Sequence, residues 1–166
     1  LKLLGLIKLK ALMIKINVVI NNVSWFKFIK NPSNYIDKKV KKININNKNI
    51  KRKIIFCTLL LSNEKEIKNL NKKFRKKNKS TDVLSFPFHS KKNLKKLLKK
   101  EKEIYLGDII INLKKVNGKK NINFFKLEFD KLWIHGLIHL FGHNHKKKKD
   151  FVKMSKIEKD YFKYIK

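Results

Sequence analysis

Four of the five histidines in this 166-residue chain fall within eleven positions near its carboxyl end. His135 and His139 are spaced i, i+4, so in a helix they lie one turn apart on the same face, where two imidazoles can coordinate one metal ion. Gly142 suits a left-handed helix end, because a residue without Cβ meets no steric penalty there. The chain can then reverse, and His145 can return as a third ligand. The pattern predicts a metal centre with an open fourth position, which is typical of catalytic rather than structural zinc sites.

Other interpretations of these histidines exist. An isolated i, i+4 pair would favour two core histidines beside a polar helix end, but the glycine and the third histidine favour metal binding. His143 could replace His145 as a ligand, although we expect it to face solvent or RNA. Metzincin proteases share this spacing and place a glutamate general base directly after the first histidine, where this chain has Gly136. A peptidase would therefore lack its proton acceptor, and we expect no peptide hydrolysis.

The charge of the chain is strongly positive. Lys and Arg number 44 against 12 Asp and Glu, which gives a formal charge of +32, and only Arg52 and Arg75 are arginines. Such a surface suits nucleic acid, because lysines release counterions from phosphates. However, the abundant lysine, asparagine, isoleucine and phenylalanine all have AT-rich codons, so mutational bias in the genome could supply much of the lysine. Charge alone therefore does not decide the function.

Length and composition predict one globular domain. A chain of this size buries roughly 70% of its unfolded surface, and 42% apolar residues can fill such a core. Its longest uncharged stretches fall short of the roughly 18 residues of a membrane span. The single cysteine, Cys57, excludes an internal disulfide framework and a four-cysteine zinc site, which is compatible with a reducing cytoplasm. We expect residues 1–12 to be an N-terminal extension and residues 13–166 to form the domain.

Apolar spacing alternates between strand and helix periods, which predicts an α+β fold with a small mixed sheet packed against helices. The metal-binding histidines would lie on a central helix and the turn after it. Pro87 favours an edge strand or extended loop for its segment, Gly107 interrupts its strand, and the lysine-rich segment 91–102 is predicted as a solvated hairpin or loop. Strands are predicted at 13–20, 53–62, 80–88 and 104–112, and helices from Pro32, after Ser62, over 121–141 and over 151–165.

Three sequence blocks resemble one known family. The segment 135–145, HGLIHLFGHNH, is similar to the pattern H-G-x-L-H-L-x-G-Y-D-H of the YbeY family of bacterial rRNA maturation factors and metal-dependent endoribonucleases. The family block T-D-V-L-S-F-P stands intact at 81–87, and L-G-D-I-x-I matches 106–111. Met154 and Glu158 fit the family's M-x3-E further downstream. These blocks occur in the right order over roughly residues 54–162, so the resemblance is specific.

The resemblance implies a zinc-dependent endoribonuclease, with another divalent transition metal as an alternative. It implies cleavage of single-stranded precursor rRNA, in late maturation of the 16S rRNA 3′ end and in ribosome quality control. The small ribosomal subunit and its proteins would be partners, and no membrane is involved. The alternative is a non-catalytic RNA-binding ribosome-assembly factor whose metal is structural.

The resemblance also suggests roles for other residues. The arginine that precedes T-D-V-L-S-F-P in the family corresponds to Arg75, which would bind the phosphate and stabilise its transition state. Asp82 and Asp108 are candidates for turn caps, for partners of the histidines or for proton carriers, and capping is favoured from the sequence alone. Asn144 and His143 replace the family's usual Asp and Tyr. The loss of that carboxylate would weaken metal affinity.

Overall fold

The computed structural model describes residues 12–46, 53–145 and 148–166. It is a mixed α/β domain, as the sequence predicts, and residues 1–11 of the expected N-terminal extension lie outside the described residues. Short 3-10 turns occupy Val23–Lys27 and Leu113–Lys115. The strands and helices are β1 Leu12–Ile20, α1 Pro32–Asn46, β2 Lys53–Ser62, α2 Glu64–Arg75, β3 Val83–Pro87, α3 Lys91–Lys100, β4 Glu103–Asn112, α4 Ile122–Leu140 and α5 Lys148–Ile165.

The four strands form one mixed sheet in the order β1-β2-β4-β3. Strands β1, β2 and β4 run parallel, and β3 is antiparallel to β4 at the edge. An edge position suits β3 because Pro87 has no N–H to donate to a further strand, so the predicted edge strand is confirmed. None of the helices over the described residues combines the length and the hydropathy that a membrane span requires.

The main core lies between the sheet and helices α1, α4 and α5. Alternate residues of β2 point into it, and Trp25 and Trp133 are fully buried there. Cys57 is also buried, and this burial raises its thiol pKa to about 12, so the thiol is inert at neutral pH. Asp130 is a buried carboxylate within this core, where it accepts hydrogen bonds from the Trp133 indole (2.9 Å) and the Tyr35 hydroxyl (3.0 Å).

The prediction of a solvated hairpin or loop at 91–102 is wrong, because α3 occupies most of this segment. The Ser90 hydroxyl caps the helix by accepting from the Asn93 N–H, and Leu94 is buried in the main core. Leu97 and Leu98 share that face at helical spacing and pack against the same core. In the sequence, the intervening lysines interrupt the apolar pattern. In the helix, they project from the face opposite the leucines.

The interruption predicted at Gly107 is a β-bulge rather than a break. The register of β2 against β4 shifts there, and Gly107 has φ +127° within a strand that continues on both sides. A Cβ at this position would collide with the Phe86 carbonyl oxygen of the neighbouring edge strand. Glycine therefore allows β3 to lie close to β4, next to the helix that carries the histidines.

Candidate metal centre

Helix α4 lies close against the sheet because Gly136 has no side chain. A Cβ there would sit 2.6 Å from Ile109 Cγ2 and 3.1 Å from Ser85 Oγ. The buried Ser85 hydroxyl also donates to the Gly136 carbonyl oxygen at 3.2 Å, which ties the helix to the edge strand. Gly136 occupies the position of the metzincin glutamate, and here that position is used for helix–sheet packing.

A Schellman motif ends α4 and directs the chain back toward it. Gly142 has φ +80°, and its N–H donates to the His139 carbonyl oxygen at 2.9 Å. The His143 N–H donates to the Ile138 carbonyl oxygen at 3.3 Å, which completes the motif. The reversal brings His145 to the face of α4 that carries the first two histidines.

The prediction that His135, His139 and His145 come together on a helix and the turn after it is confirmed. One ring nitrogen from each lies within 4.8 Å of the other two. The Nε2 atoms of His135 and His139 are 3.0 Å apart, and the His145 ring centroid lies 5.5 Å from that of His135 and 5.1 Å from that of His139. Two nitrogens bound to one tetrahedral zinc ion lie about 3.3 Å apart, so this spacing needs little change to hold an ion.

Hydrogen bonds at the other ring nitrogens fix which atoms can bind a metal. His135 Nδ1 lies 2.7 Å from Glu158 Oε1, and His139 Nδ1 lies 2.9 Å from the His143 carbonyl oxygen. Both partners accept hydrogen bonds, so each Nδ1 carries the proton and each Nε2 of the neutral rings presents a lone pair. Two such lone pairs repel each other at 3.0 Å, and a cation bound between them would remove that repulsion. The donor set therefore fits a metal ion and its usual outer partners.

The surroundings of His139 favour its neutral form. Burial is the main cause that lowers its pKa, and the positive potential of His135 and, more weakly, of Arg75 acts in the same direction. Burial also lowers the pKa of His143, whose ring is half-buried. His143 contributes its main-chain carbonyl to the site, while the third ligand nitrogen belongs to His145.

Arg75 lies at the carboxyl end of α2. Its Nη2 donates to the Ser85 carbonyl oxygen at 3.2 Å, and its charge contributes weakly to the lowered pKa of His139. A guanidinium has five N–H donors in a planar fork, so this one contact anchors the group and leaves others available for an anion. Arg75 is therefore near enough to His139 to act on it electrostatically.

The two aspartates lie in different places. Asp82 Oδ1 accepts from the Val83 N–H at 2.8 Å, as a turn cap does, and the residue lies at the rim of a cleft of about 400 Å³ that also contains His135. Asp108 accepts a hydrogen bond from the Tyr105 hydroxyl. Because the next residue, Ile109, faces α4, Asp108 projects to the opposite side of the sheet, away from the histidines. Asn144 is exposed in the turn between His143 and His145.

Glu158 is the site residue whose role the sequence analysis missed. It lies on α5, and Met154, one turn earlier on the same helix, is buried in the core. That packing holds the Glu158 carboxylate against His135. The M-x3-E match was the available signal, but it did not indicate which histidine the carboxylate would contact.

An α+β domain that presents three histidine nitrogens beside an arginine has the donor set of a metal-dependent hydrolase. A family model described as Endoribonuclease YbeY matches residues 19–166. Endoribonuclease YbeY of Pelagibacter ubique is 48% identical over 156 residues, which cover 93% of this chain and 97% of that protein. Its counterpart from Buchnera aphidicola subsp. Schizaphis graminum is 36% identical and covers 76% of this chain and 75% of its own length.

The chain therefore belongs to the YbeY endoribonuclease family, a family of hydrolases that act on RNA. The solution structure of a Thermotoga maritima protein covers 90% of both chains at 24% identity, with a TM-score of 0.48.

Proposed function

We propose that this chain is a zinc-dependent endoribonuclease that cleaves single-stranded precursor rRNA, in late maturation of the 16S rRNA 3′ end and in ribosome quality control. The observation that carries the metal dependence is the pair of Nε2 atoms 3.0 Å apart, with both Nδ1 protons held by fixed acceptors. Three imidazoles with an open fourth position suit zinc, although other divalent transition metals accept the same donors.

His135, His139 and His145 would hold the ion, which when bound polarises a phosphate oxygen and lowers the pKa of a bound water toward about 7. Glu158 keeps the proton of His135 on Nδ1, and the His143 carbonyl does the same for His139. Both rings therefore keep Nε2 free for the ion. The lowered pKa of His139 prevents protonation from competing strongly with metal binding near neutral pH.

Arg75 is proposed to bind the scissile phosphate. Its contact with the Ser85 carbonyl oxygen anchors the guanidinium without neutralising it. Fixed donors of this kind stabilise charge that develops on phosphate oxygens in the transition state. The lysine-rich surface would attract RNA with a strong dependence on salt, and the small ribosomal subunit in the bacterial cytoplasm is the proposed setting.

The test is cleavage of single-stranded precursor rRNA by wild-type protein, by His139→Ala and by wild type with a chelator. His89→Ala is the matched control, because His89 is half-buried and lies outside the three-histidine cluster. We expect cleavage by wild type and by the His89 variant, loss in the other two samples, and recovery of the chelated enzyme on addition of zinc. Cleavage that persists both with the chelator and in His139→Ala would overturn the proposal.

The second candidate is a ribosome-assembly factor that binds RNA and uses the metal structurally. Asn144 favours it, because this residue stands where the resembling family usually has aspartate. Stoichiometric zinc binding with RNA binding but no cleavage would support this candidate over the nuclease.

A further inference from the structure

We propose that a row of aromatic side chains on the sheet face opposite α4 stacks the bases of single-stranded RNA. We name this row the aromatic strip; it consists of Phe56, Phe74, Phe86, Phe88 and Tyr105. The identity of the ligand rests on the proposed function. The existence of the strip and its chemistry follow from the structure alone.

The strip runs across the sheet from the edge strand. The rings of Phe74 and Phe86 have centroids 5.2 Å apart, and Phe88 follows Phe86 two residues later. The Phe88 ring lies 5.6 Å from that of Tyr105, which in turn lies 5.3 Å from that of Phe56, its partner in register on β2. Five rings thus follow one another from α2, over β3 and β4, to β2.

Three of the five rings are largely exposed, while Phe86 and Tyr105 are partly buried between them. The exposed fraction is 69% for Phe88, 58% for Phe74 and 40% for Phe56, whereas Ile55 and Cys57, the β2 neighbours that face the main core, are at most 1% exposed. A group of large apolar side chains left in solvent typically marks an interaction surface.

Helix α2 covers only part of this sheet face. A small cluster formed by Ile67, Leu84 and Ile110 fills the space beneath α2, toward the carboxyl ends of the parallel strands. Phe56 and Tyr105 lie nearer the strands' amino ends, beyond this cluster. Over residues 12–46, 53–145 and 148–166, the sheet therefore offers an open aromatic surface rather than a second closed core.

The charge beside the strip selects an anionic partner. Exposed lysines surround Phe74 at the end of α2, and Lys73 Nζ lies 5.3 Å from the Phe74 ring centroid. Lys15 lies beside Phe56 in register on β1. The carboxylate of Asp108 is also on this face, where the Tyr105 hydroxyl donates to it. The phosphates of the RNA would therefore lie along these lysines, and its bases would lie over the rings.

This combination of aromatic rings and lysines is the one that single-stranded nucleic acid requires. A second copy of this chain is a poor occupant, because two surfaces of a protein with a formal charge of +32 repel each other. Single-stranded RNA supplies flat bases for the rings and negative phosphates for the lysines.

The strip reaches Arg75 at the edge strand. Phe74 directly precedes Arg75 in α2, and Phe86 directly follows Ser85, whose carbonyl oxygen accepts from Arg75. An RNA strand with a phosphate at Arg75 would therefore continue over Phe74 and Phe86. Longer RNA would continue over Phe88, so affinity should rise with RNA length until the strip is filled.

The test measures binding of fluorescently labelled oligouridylate of increasing length by anisotropy, with the metal removed by a chelator so that cleavage cannot intervene. The variants are Phe88→Leu, which keeps apolar bulk without a flat ring, and Phe88→Tyr, which restores the ring. Phe26→Leu is the control: Phe26 is 44% exposed and lies in the 3-10 turn after β1, away from the strip.

We expect Phe88→Leu to weaken binding of the longer oligomers by about 5- to 150-fold, the range for loss of one base–aromatic stack. Phe88→Tyr and the control should bind like wild type, and a trinucleotide should bind all variants equally. The proposal that the strip binds RNA would be overturned if Phe88→Leu and wild type bound long RNA with equal affinity. It would also be overturned if Phe88→Leu abolished self-association without affecting RNA binding. Cleavage of precursor rRNA by wild type tests the proposed function separately. Cleavage without an effect of Phe88→Leu on RNA binding would contradict the strip alone, whereas absence of cleavage would contradict the proposed function.

Discussion

Removal of the Glu158 carboxylate should weaken metal binding without unfolding the protein. The carboxylate accepts from His135 Nδ1 at 2.7 Å, and a hydrogen bond to a charged group contributes about 1.5–3 kcal/mol. Side-chain exposure of 26% for Glu158 and 32% for His135 reduces that contribution through solvent screening. Outer-shell partners of metal-binding histidines are typically worth 10- to 100-fold in affinity, or about 1.4–2.8 kcal/mol, so the two ranges agree.

Two substitutions separate the charge from the hydrogen bond. Glu158→Gln keeps an oxygen that can accept from His135 Nδ1, so we expect zinc affinity to fall by about 10-fold. Glu158→Ala removes the acceptor as well and frees the ring to rotate or change tautomer, so the loss should approach about 100-fold. Competition with a chromophoric chelator measures both affinities, and circular dichroism confirms that the fold is kept.

Glu128→Gln is the matched control, because it removes the same charge from a glutamate whose partner is Lys131 on the surface of α4. We expect its zinc affinity to equal that of wild type. Zinc binding as tight as wild type in both Glu158 variants, or a larger loss of affinity in the Gln than in the Ala variant, would contradict this role of the carboxylate.

Three further substitutions test the fold around the site. Gly136→Ala places a methyl group 2.6 Å from Ile109 Cγ2, so the free energy of unfolding should fall by about 1–3 kcal/mol. Thermal unfolding measures this loss, and an unchanged Tm would contradict the close approach of α4 to the sheet. Gly142→Ala forces a side chain into φ +80° at a cost of about 1–2 kcal/mol and should displace His145, so zinc competition should show weaker binding, and equal affinity would refute this. Asp130→Ala leaves buried donors unpaired, so the free energy of unfolding in urea should fall by about 1–3 kcal/mol. Zinc affinity should stay unchanged, and a loss of zinc affinity would mean that the core and the metal centre are coupled.

Local patterns in the sequence predicted much of the fold and the centre of the site. The i, i+4 spacing of His135 and His139 and the glycine that follows act within one helix and one turn, so no distant contact is needed to place them. The same holds for the strand of β2, whose apolar run is bounded by polar residues, and for the edge strand that contains Pro87.

Features that depend on contacts between distant segments were not predictable in this way. Glu158 contacts His135 across 23 positions because α5 packs against α4, and no local period encodes that contact. The placement of Asp108 on the far side of the sheet depends on the bulge at Gly107 and on which face α4 covers. Helix α3 was missed for a different reason, since its six lysines hide three leucines at helical spacing.

The main chain of His143 has a consequence for how this centre can change by mutation. Its N–H closes the end of α4 on Ile138, and its carbonyl oxygen holds the proton of His139, so a single residue both shapes the turn and orients a ligand. Neither task uses the imidazole. Replacement of the His143 side chain should therefore leave both the end of α4 and the orientation of His139 intact.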